Sequence, residues 1–436
     1  MGRPLVAIGL LLAFVTPAAA QSRTDKLALL FQEVFGPGGL TVNSESVLPD
    51  GSTHSAHFNS AFQSNFTQFN VAIAGQLASL PLPSPASGFT YTFDPTTGTF
   101  VRSTQSYGPI LTDRAETIGR GRFSFGYNAQ FFSFDTLEGL NLSRIPAVFT
   151  HDEYQLGGGR ADVVTTVNSI EASVGQMTAA LTYGVTGRFD VSVAVPLVRV
   201  RLSVRSDATM QRVGTDDPTI HFFRDPDAPG GYGTHRQFLA SGTATGLGDV
   251  IVRVKGTALR EGSRGVALGL DCRLPTGDER DLLGSGALGI KPFAAISFGW
   301  GRFAPHVNLG YQWNGRSVLA GDVKSDRRAK MPDQFLFSVG ADIGVSDRLS
   351  LAVDVLGARV IDSPRLVATR FTPPGTTLDF PDVAFHSSTF STSAGSVGFK
   401  VAITRRVLAN FNLRFKLGDA GLVDRAAPLL GIEYGF

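Results

Sequence analysis

FLFSVGADIGV-SDR-LSLAVDV, residues 335–355, is the stretch whose reading decides the fold. Phe335, Phe337, Val339, Ala341, Ile343 and Val345 alternate with smaller or polar residues, Asp342 among them. After the turn Ser346-Asp347-Arg348, Leu349, Leu351, Val353 and Val355 alternate with Ser350, Ala352 and Asp354. A side-chain period of two collects the apolar groups on one face and the charges on the other. Two such runs joined by a tight turn match a lipid-spanning hairpin with lipid outside and lumen inside. Soluble sandwiches use shorter strands and lack a regular alternation of short turns with long loops.

Outward from this hairpin the pattern recurs. Toward the C-terminus come Val397 to Ile403 with Lys400 inward, Phe411 to Leu417 with Arg414 and Lys416 inward, and Leu430 to Phe436 with Glu433 inward. Toward the N-terminus come Val307 to Trp313, Ala294 to Phe298, Val266 to Leu274 with Asp271 and Arg273 inward, and Val250 to Val254 with Arg253 and Lys255 inward. Phe189 to Val195, Met177 to Tyr183 and Phe123 to Phe131 complete twelve strands. Beyond Pro196 the apolar residues move to even positions, Val198, Val200, Leu202 and Val204. That switch predicts a β-bulge at Pro196, with Arg199 and Arg201 turned into the lumen.

Short links near 184–188, 259–265, 299–302, 346–348 and 404–407 alternate with long ones, as periplasmic turns alternate with extracellular loops. The expected fold class is all-β: a transmembrane antiparallel up-and-down β-barrel of 12 strands over residues 119–436, with 14 as the alternative. Arg253, Lys255, Asp271, Arg273, Asp342, Asp354, Lys400, Arg414 and Lys416 are the expected lumen charges, an ion-pair ladder filling a narrow barrel.

Composition excludes other classes. The chain is 43% hydrophobic and only 17% charged, with net charge +2, 50 Gly and 33 Phe. No apolar run after the first twenty residues approaches the ~18 needed for a membrane helix, and no basic run or motif suits nucleic acid. Cys272 stands alone, so no internal disulfide is expected, and no metal-spaced Cys/His set exists. Neither a metal nor another cofactor is expected. The acidic loop residues Asp216, Asp217, Asp225 and Asp227 with His221 read as solvated rather than as a cation site. The seven His are scattered, and His306 falls on a lumen-facing strand position, so no catalytic triad is expected and the protein is read as a non-enzyme.

The chain ends carry addresses. Residues 1–20 combine Arg3, the apolar run Leu5 to Val15 and Ala18-Ala19-Ala20, a signal peptide cleaved before Gln21. Tyr434 and Phe436 form an aromatic assembly signal for the barrel-assembly machinery. Localisation in the bacterial outer membrane follows, with outer-membrane lipid and lipopolysaccharide as surroundings.

Residues 21–118 differ in pattern and form the expected plug or periplasmic segment. Phe58, Phe62, Phe66, Phe69, Ile73, Leu77 and Leu80 are spaced 4, 4, 3, 4, 4 and 3, a helical period. The stripe predicts a helix plugging the lumen and lining a ligand path, with packing beneath the barrel rim as the alternative. Residues 89–93 and 99–104 flank Asp94 to Gly98 as a hairpin too short to span lipid.

Four stretches carry a family resemblance: Ala115 to Phe123 (AETIGRGRF), Thr182 to Arg188 (TYGVTGR), Gly246 to Asp249 (GLGD) and Leu274 to Asp278 (LPTGD). The chain resembles, over most of Gly88 to Phe436, the outer-membrane family named for the meta-pathway of phenol degradation. That family is similar to the outer-membrane transporters for long-chain fatty acids and aromatic hydrocarbons. The resemblance implies passive uptake of a small apolar ligand, a fatty acid or an aromatic. The alternatives are a lipid-acting enzyme and a structural barrel without transport.

Overall fold

A computed structural model describes residues 26–36, 38–47, 51, 56–60, 67–79, 91–94, 99–102 and 106–435. The segment read as a signal peptide, and Phe62, Phe66 and Phe436, lie outside the described residues.

Twelve antiparallel strands close into a barrel. They are β1 (Phe123–Leu137), β2 (Val163–Thr186), β3 (Phe189–Gln211), β4 in two parts (His235–Leu247 and Ile251–Glu261), β5 (Arg264–Arg273) and β6 (Gly289–Phe298), followed by β7 (Phe303–Asn314), β8 (Gln334–Ser346), β9 (Leu349–Phe371), β10 (Phe380–Ala402), β11 (Val407–Lys416) and β12 (Ala426–Gly435). Each pairs with the next, and β12 closes on β1 with Leu430 opposite Ala129 and Tyr434 opposite Phe125. All twelve strands expected from the sequence are present. The short strands Tyr91–Asp94 and Thr99–Arg102 pair with each other in a sheet of their own, which leaves the barrel at twelve rather than fourteen.

The outward faces form an apolar belt. Leu181, Val193, Leu268, Val339, Val353, Val397 and Ile432 are each 39–57% exposed around the whole ring. Such a closed band belongs against hydrocarbon, and closure removes the sheet edges that lipid cannot solvate. No described helix is long and apolar enough to cross a membrane.

The strands overshoot the bilayer. β2 has 24 residues and β3, β9 and β10 have 23 each, about twice the nine to eleven that lipid requires. On β3 the outward apolar row runs from Phe189 to Leu197, roughly 20 Å of height at ~3.3 Å per residue and ~40° tilt. Above it the outward positions are Arg199, Arg201, Ser203 and Arg205.

Here the register corrects the expectation at Pro196. Thr178 pairs with Pro196 and Met177 with Leu197 without a break, and the one irregularity of this ladder lies between Gly184 and Thr186. Val198, Val200, Leu202 and Val204 therefore share the inward face with Ser192 and Ala194, and each is at most 2% exposed. Arg199 and Arg201 point outward. Apolar residues change parity because the apolar medium changes sides: below Leu197 it is lipid outside, above it is protein inside. The backbone has no need to slip.

What fills that upper lumen is the N-terminal segment. Leu27, Phe31, Phe35, Leu40, Phe58, Phe69 and Ile73 join Phe132, Phe134, Val200, Leu202 and Val204 in one buried cluster. Helix α1 (Thr67–Ser79) carries Phe69 and Ile73. Phe69 meets Phe31 edge-on at 4.9 Å, and Asn70 Nδ2 donates to Ala28 O at 2.8 Å. The predicted helix from Phe58 onward is shorter than its period suggested. Phe58 lies on the strand Ala56–Asn59, which pairs with Leu40–Val42 on one side and continues to His151 and Thr150 on the other.

The face inversion predicts opposite sensitivities at adjacent positions. Val200→Asp forfeits about 1.5–3 kcal/mol of burial and strands a carboxylate in an apolar core. It should expose the long-loop half to protease and lower the melting temperature. Arg201→Val should leave both within error. A bulge at Pro196 would give the reverse order.

Candidate functional site

The described residues immediately before β1, Ser106 to Ile118, form an irregular strap inside the short-turn half of the lumen. It starts at the β8–β9 turn, where the Tyr107 hydroxyl donates to Asp347 O at 2.7 Å and its amide donates to Ser350 Oγ at 2.8 Å. It ends across the barrel at the β2–β3 turn, where Thr117 Oγ1 donates to Gly187 O at 3.0 Å and the Ile118 amide donates to Asp190 Oδ2 at 3.0 Å. Irregular backbone has no ladder to satisfy it, so side chains of the wall do so. Asp113 N–H donates to Asn308 Oδ1 at 2.6 Å while Asn308 Nδ2 donates to Asp113 O at 2.8 Å. Ala115 N–H donates to Ser297 Oγ at 3.1 Å, and Thr257 Oγ1 donates to Ala115 O at 2.6 Å.

Charge fixes the strap's register. Asp113 Oδ2 takes Arg253 Nη1 at 2.8 Å. Arg253 also holds Asp271 in a two-pronged pair at 2.6 and 2.8 Å, and Lys291 Nζ reaches the same carboxylate at 2.9 Å. Arg114, 1% exposed, pairs with Asp342 and Ser106, and its carbonyl accepts from Lys255 Nζ at 3.2 Å. Thr112 Oγ1 lies 2.8 Å from His306 Nε2, which lies 2.7 Å from Asp354 Oδ1. Arg114, Arg253, Lys255 and Lys291 thus face Asp113, Asp271, Asp342 and Asp354, and Glu116 of the strap is buried beside them, its carboxylate accepting from Ser297 Oγ at 3.3 Å. Breaking one buried pair strands its partner at a cost of about 3–5 kcal/mol.

The expected lumen charges therefore separate by location. Arg253, Lys255, Asp271, Asp342 and Asp354 converge on the strap. Arg273 lies higher, 2.7 Å from Asn314 Oδ1 and 3.6 Å from Asp249. Lys400 is buried against Glu433 at 2.9 Å on the β10–β12 side. Arg414 faces the lumen beside Phe132, and Lys416 is exposed against Asp419 at 2.7 Å. Tyr434 points outward in the belt.

The four motif stretches meet in two pairs. A Cβ on Gly184 would sit 1.9 Å from Gly119 O, so the strap's exit passes where only glycine allows it. Asp249 accepts from the Gly277 amide at 3.1 Å and from the Ser285 amide at 2.8 Å, and Thr276 Oγ1 donates to Gly248 O at 2.6 Å. This clasp turns the chain after Arg273 into the lumen, so the upper part of β4 pairs with β3 alone.

Above the strap lies a cavity of about 150 Å³ lined by Leu111, Phe293, Leu336 and Leu356 with Asp113, Arg253 and Lys291. A smaller one of about 90 Å³, under Val71 and Gly75 of α1, shares Ala358, Thr392, Ala394 and Arg414 with it. The lining is amphipathic: Arg253 stacks over the Phe293 ring at 4.8 Å. His306 is sealed instead, 0% exposed and absent from the lining of these cavities. Sequence reading missed the strap and these inward apolar residues. One sign was present: Gly269 and Gly310, on inward positions, stand opposite Phe293, whose ring occupies the space a Cβ on Gly269 would need.

Residues 147–361 match the family described as "Putative MetA-pathway of phenol degradation". That is the family the motifs resemble. Among solved structures, the chain is similar to an outer membrane channel from Pseudomonas putida F1 (14% identity, TM-score 0.46, 74% of this chain and 99% of that one). It is also similar to a FadL homologue from Pseudomonas aeruginosa (8% identity, TM-score 0.31, 80% and 94%). None of the curated proteins compared matches the chain.

Loosening the strap should open the short-turn half. Asp113→Asn with Arg114→Gln removes the two strap charges that pair with the wall, and a barrel that still assembles should show at least brief, larger single-channel openings in planar bilayers. Conductance equal to the parent would mean the strap does not limit ion flow.

Proposed function

We propose that the protein is a channel of the bacterial outer membrane for passive uptake of small hydrophobic or amphipathic molecules, fatty acids or aromatics among them. The observation that carries this reading is the amphipathic cavity between two internal obstructions. Apolar Leu111, Phe293, Leu336 and Leu356 suit the body of such a ligand, and Arg253 and Lys291 suit a carboxylate or phenolic head. The strap below and the N-terminal cluster above would leave no continuous water column. Ions are then held back while a ligand moves by displacing packed side chains. In this reading Phe58, Phe69 and Ile73 hold the upper plug and line the path.

The orientation puts short turns and strap toward the periplasm and long loops outside. Tyr434, closing the lipid-facing row of β12, belongs to the region recognised during assembly. The rival reading, a lipid-acting enzyme, needs a nucleophile–histidine pair open to lipid. His306 is sealed under the strap against Thr112 and clamped by Asp354 and Asp342. A purely structural barrel has no use for an amphipathic cavity.

Uptake decides the matter. Cells with the protein should accumulate a labelled fatty acid or a simple aromatic faster than cells without it. Ser338→Phe, which places a ring in the cavity, should remove most of that difference at unchanged barrel yield. Equal uptake with and without the protein, across a panel of chain lengths and ring sizes, would overturn the proposal.

A further inference from the structure

At the lipid boundary the outer face of β1–β3 departs from a plain belt. Phe131, Met177 and Leu197 form an apolar shelf, and Gly175, against which the Phe131 ring packs, leaves a slot. The slot belongs to a groove of about 340 Å³ capped by Arg199 and Arg201. At its top the groove shares Ser173 and Arg201 with a larger polar concavity of about 990 Å³, lined by Ser133, Asn141, Ser143 and Arg425. Arg199 and Arg201 are two residues apart on one face of β3, about 6.6 Å along the strand. Among the described residues neither has a carboxylate within ion-pair distance, and Arg199 Nε is buried without a hydrogen-bond partner. The acids of this face, Glu171 and Asp135, line the polar concavity and not the groove: Glu171 opposes Ser203, diagonal to Arg201, and Asp135 accepts from the Arg425 amide at 3.1 Å.

We propose that this face binds a phosphorylated, acylated glycolipid of the outer leaflet, with an acyl chain along Phe131, Met177 and Leu197 and a phosphate on Arg199 and Arg201. The order of the surfaces gives the ligand its class. Hydrocarbon below, two unpaired guanidiniums at the boundary and a polar hollow above repeat the order of tail, phosphate and sugar. Guanidinium forks suit phosphate oxygens, and at this depth an unpaired guanidinium lacks full hydration. A free anion would make no use of the apolar slot. The site lies outside the lumen, so it is independent of the transport reading.

The test uses the purified full chain in detergent, titrated with lipid A, with dephosphorylated lipid A and with inorganic phosphate, and read by thermal melting and native mass spectrometry. Lipid A should bind and raise the melting temperature. Dephosphorylated lipid, or lipid A on Arg199→Gln/Arg201→Gln, should bind about tenfold or more weakly. Arg264→Gln, an exposed arginine beside the tight β4–β5 turn, should behave as the parent. Inorganic phosphate should neither bind nor displace the lipid. Parental affinity in the double variant, equal binding of the dephosphorylated lipid, or displacement by phosphate would each overturn the proposal. If the double variant yields no folded barrel, Gly175→Leu decides: a side chain filling the slot should weaken lipid A binding to a similar degree, and parental binding there overturns the proposal.

Discussion

The ionic seam between the strap and the barrel wall is the interaction on which the short-turn half depends. Twelve strands enclose a lumen wider than the wall's own side chains fill, yet too confined to leave charges to water. Asp113 and Arg114 resolve this by entering the wall's charge set from the inside. Arg253 and Asp271 would be a wall pair without them, but Lys255 and Asp342 would each lose a strap partner. The same contacts place Thr112 against His306 and Leu111 at the floor of the cavity. Strap position, cavity floor and sealed histidine are consequences of one ionic cluster.

The long-loop half is held together by different physics. There the strands stand above lipid, and the inward face carries valine, leucine and phenylalanine packed on the N-terminal segment. The barrel is in effect two structures stacked on one set of strands, polar-cored in the membrane and apolar-cored above it. β3 passes through both without changing register, which is why its side-chain pattern reverses at Leu197 while its hydrogen bonds do not.

Much of this was legible because lipid imposes a strict period of two on the outward row. The hairpin at 335–355, the twelve strands and the inward set Arg253, Lys255, Asp271, Asp342 and Asp354 all follow from that period. The reading failed where the surroundings changed unseen. Val198 to Val204 look like a slipped strand when lipid is taken as the apolar side throughout. Phe58 keeps helical spacing with Phe62 but pairs as a strand, because its partners, Leu40 and His151, are set by tertiary contact. The strap was illegible for the same reason. Its partners stand some 70 to 240 residues away in the chain, and its own sequence, SYGPILTDRAETI, has no period to betray it.

Backbone protection tests the central claim most directly. The amides of Tyr107, Asp113, Ala115 and Ile118 each donate to a wall side chain. Hydrogen–deuterium exchange on the full chain in detergent should therefore find the peptide covering 106–118 protected to the level of the neighbouring strand β1. Exchange as fast as in a free chain, with β1 still protected, would contradict a strap locked inside the barrel.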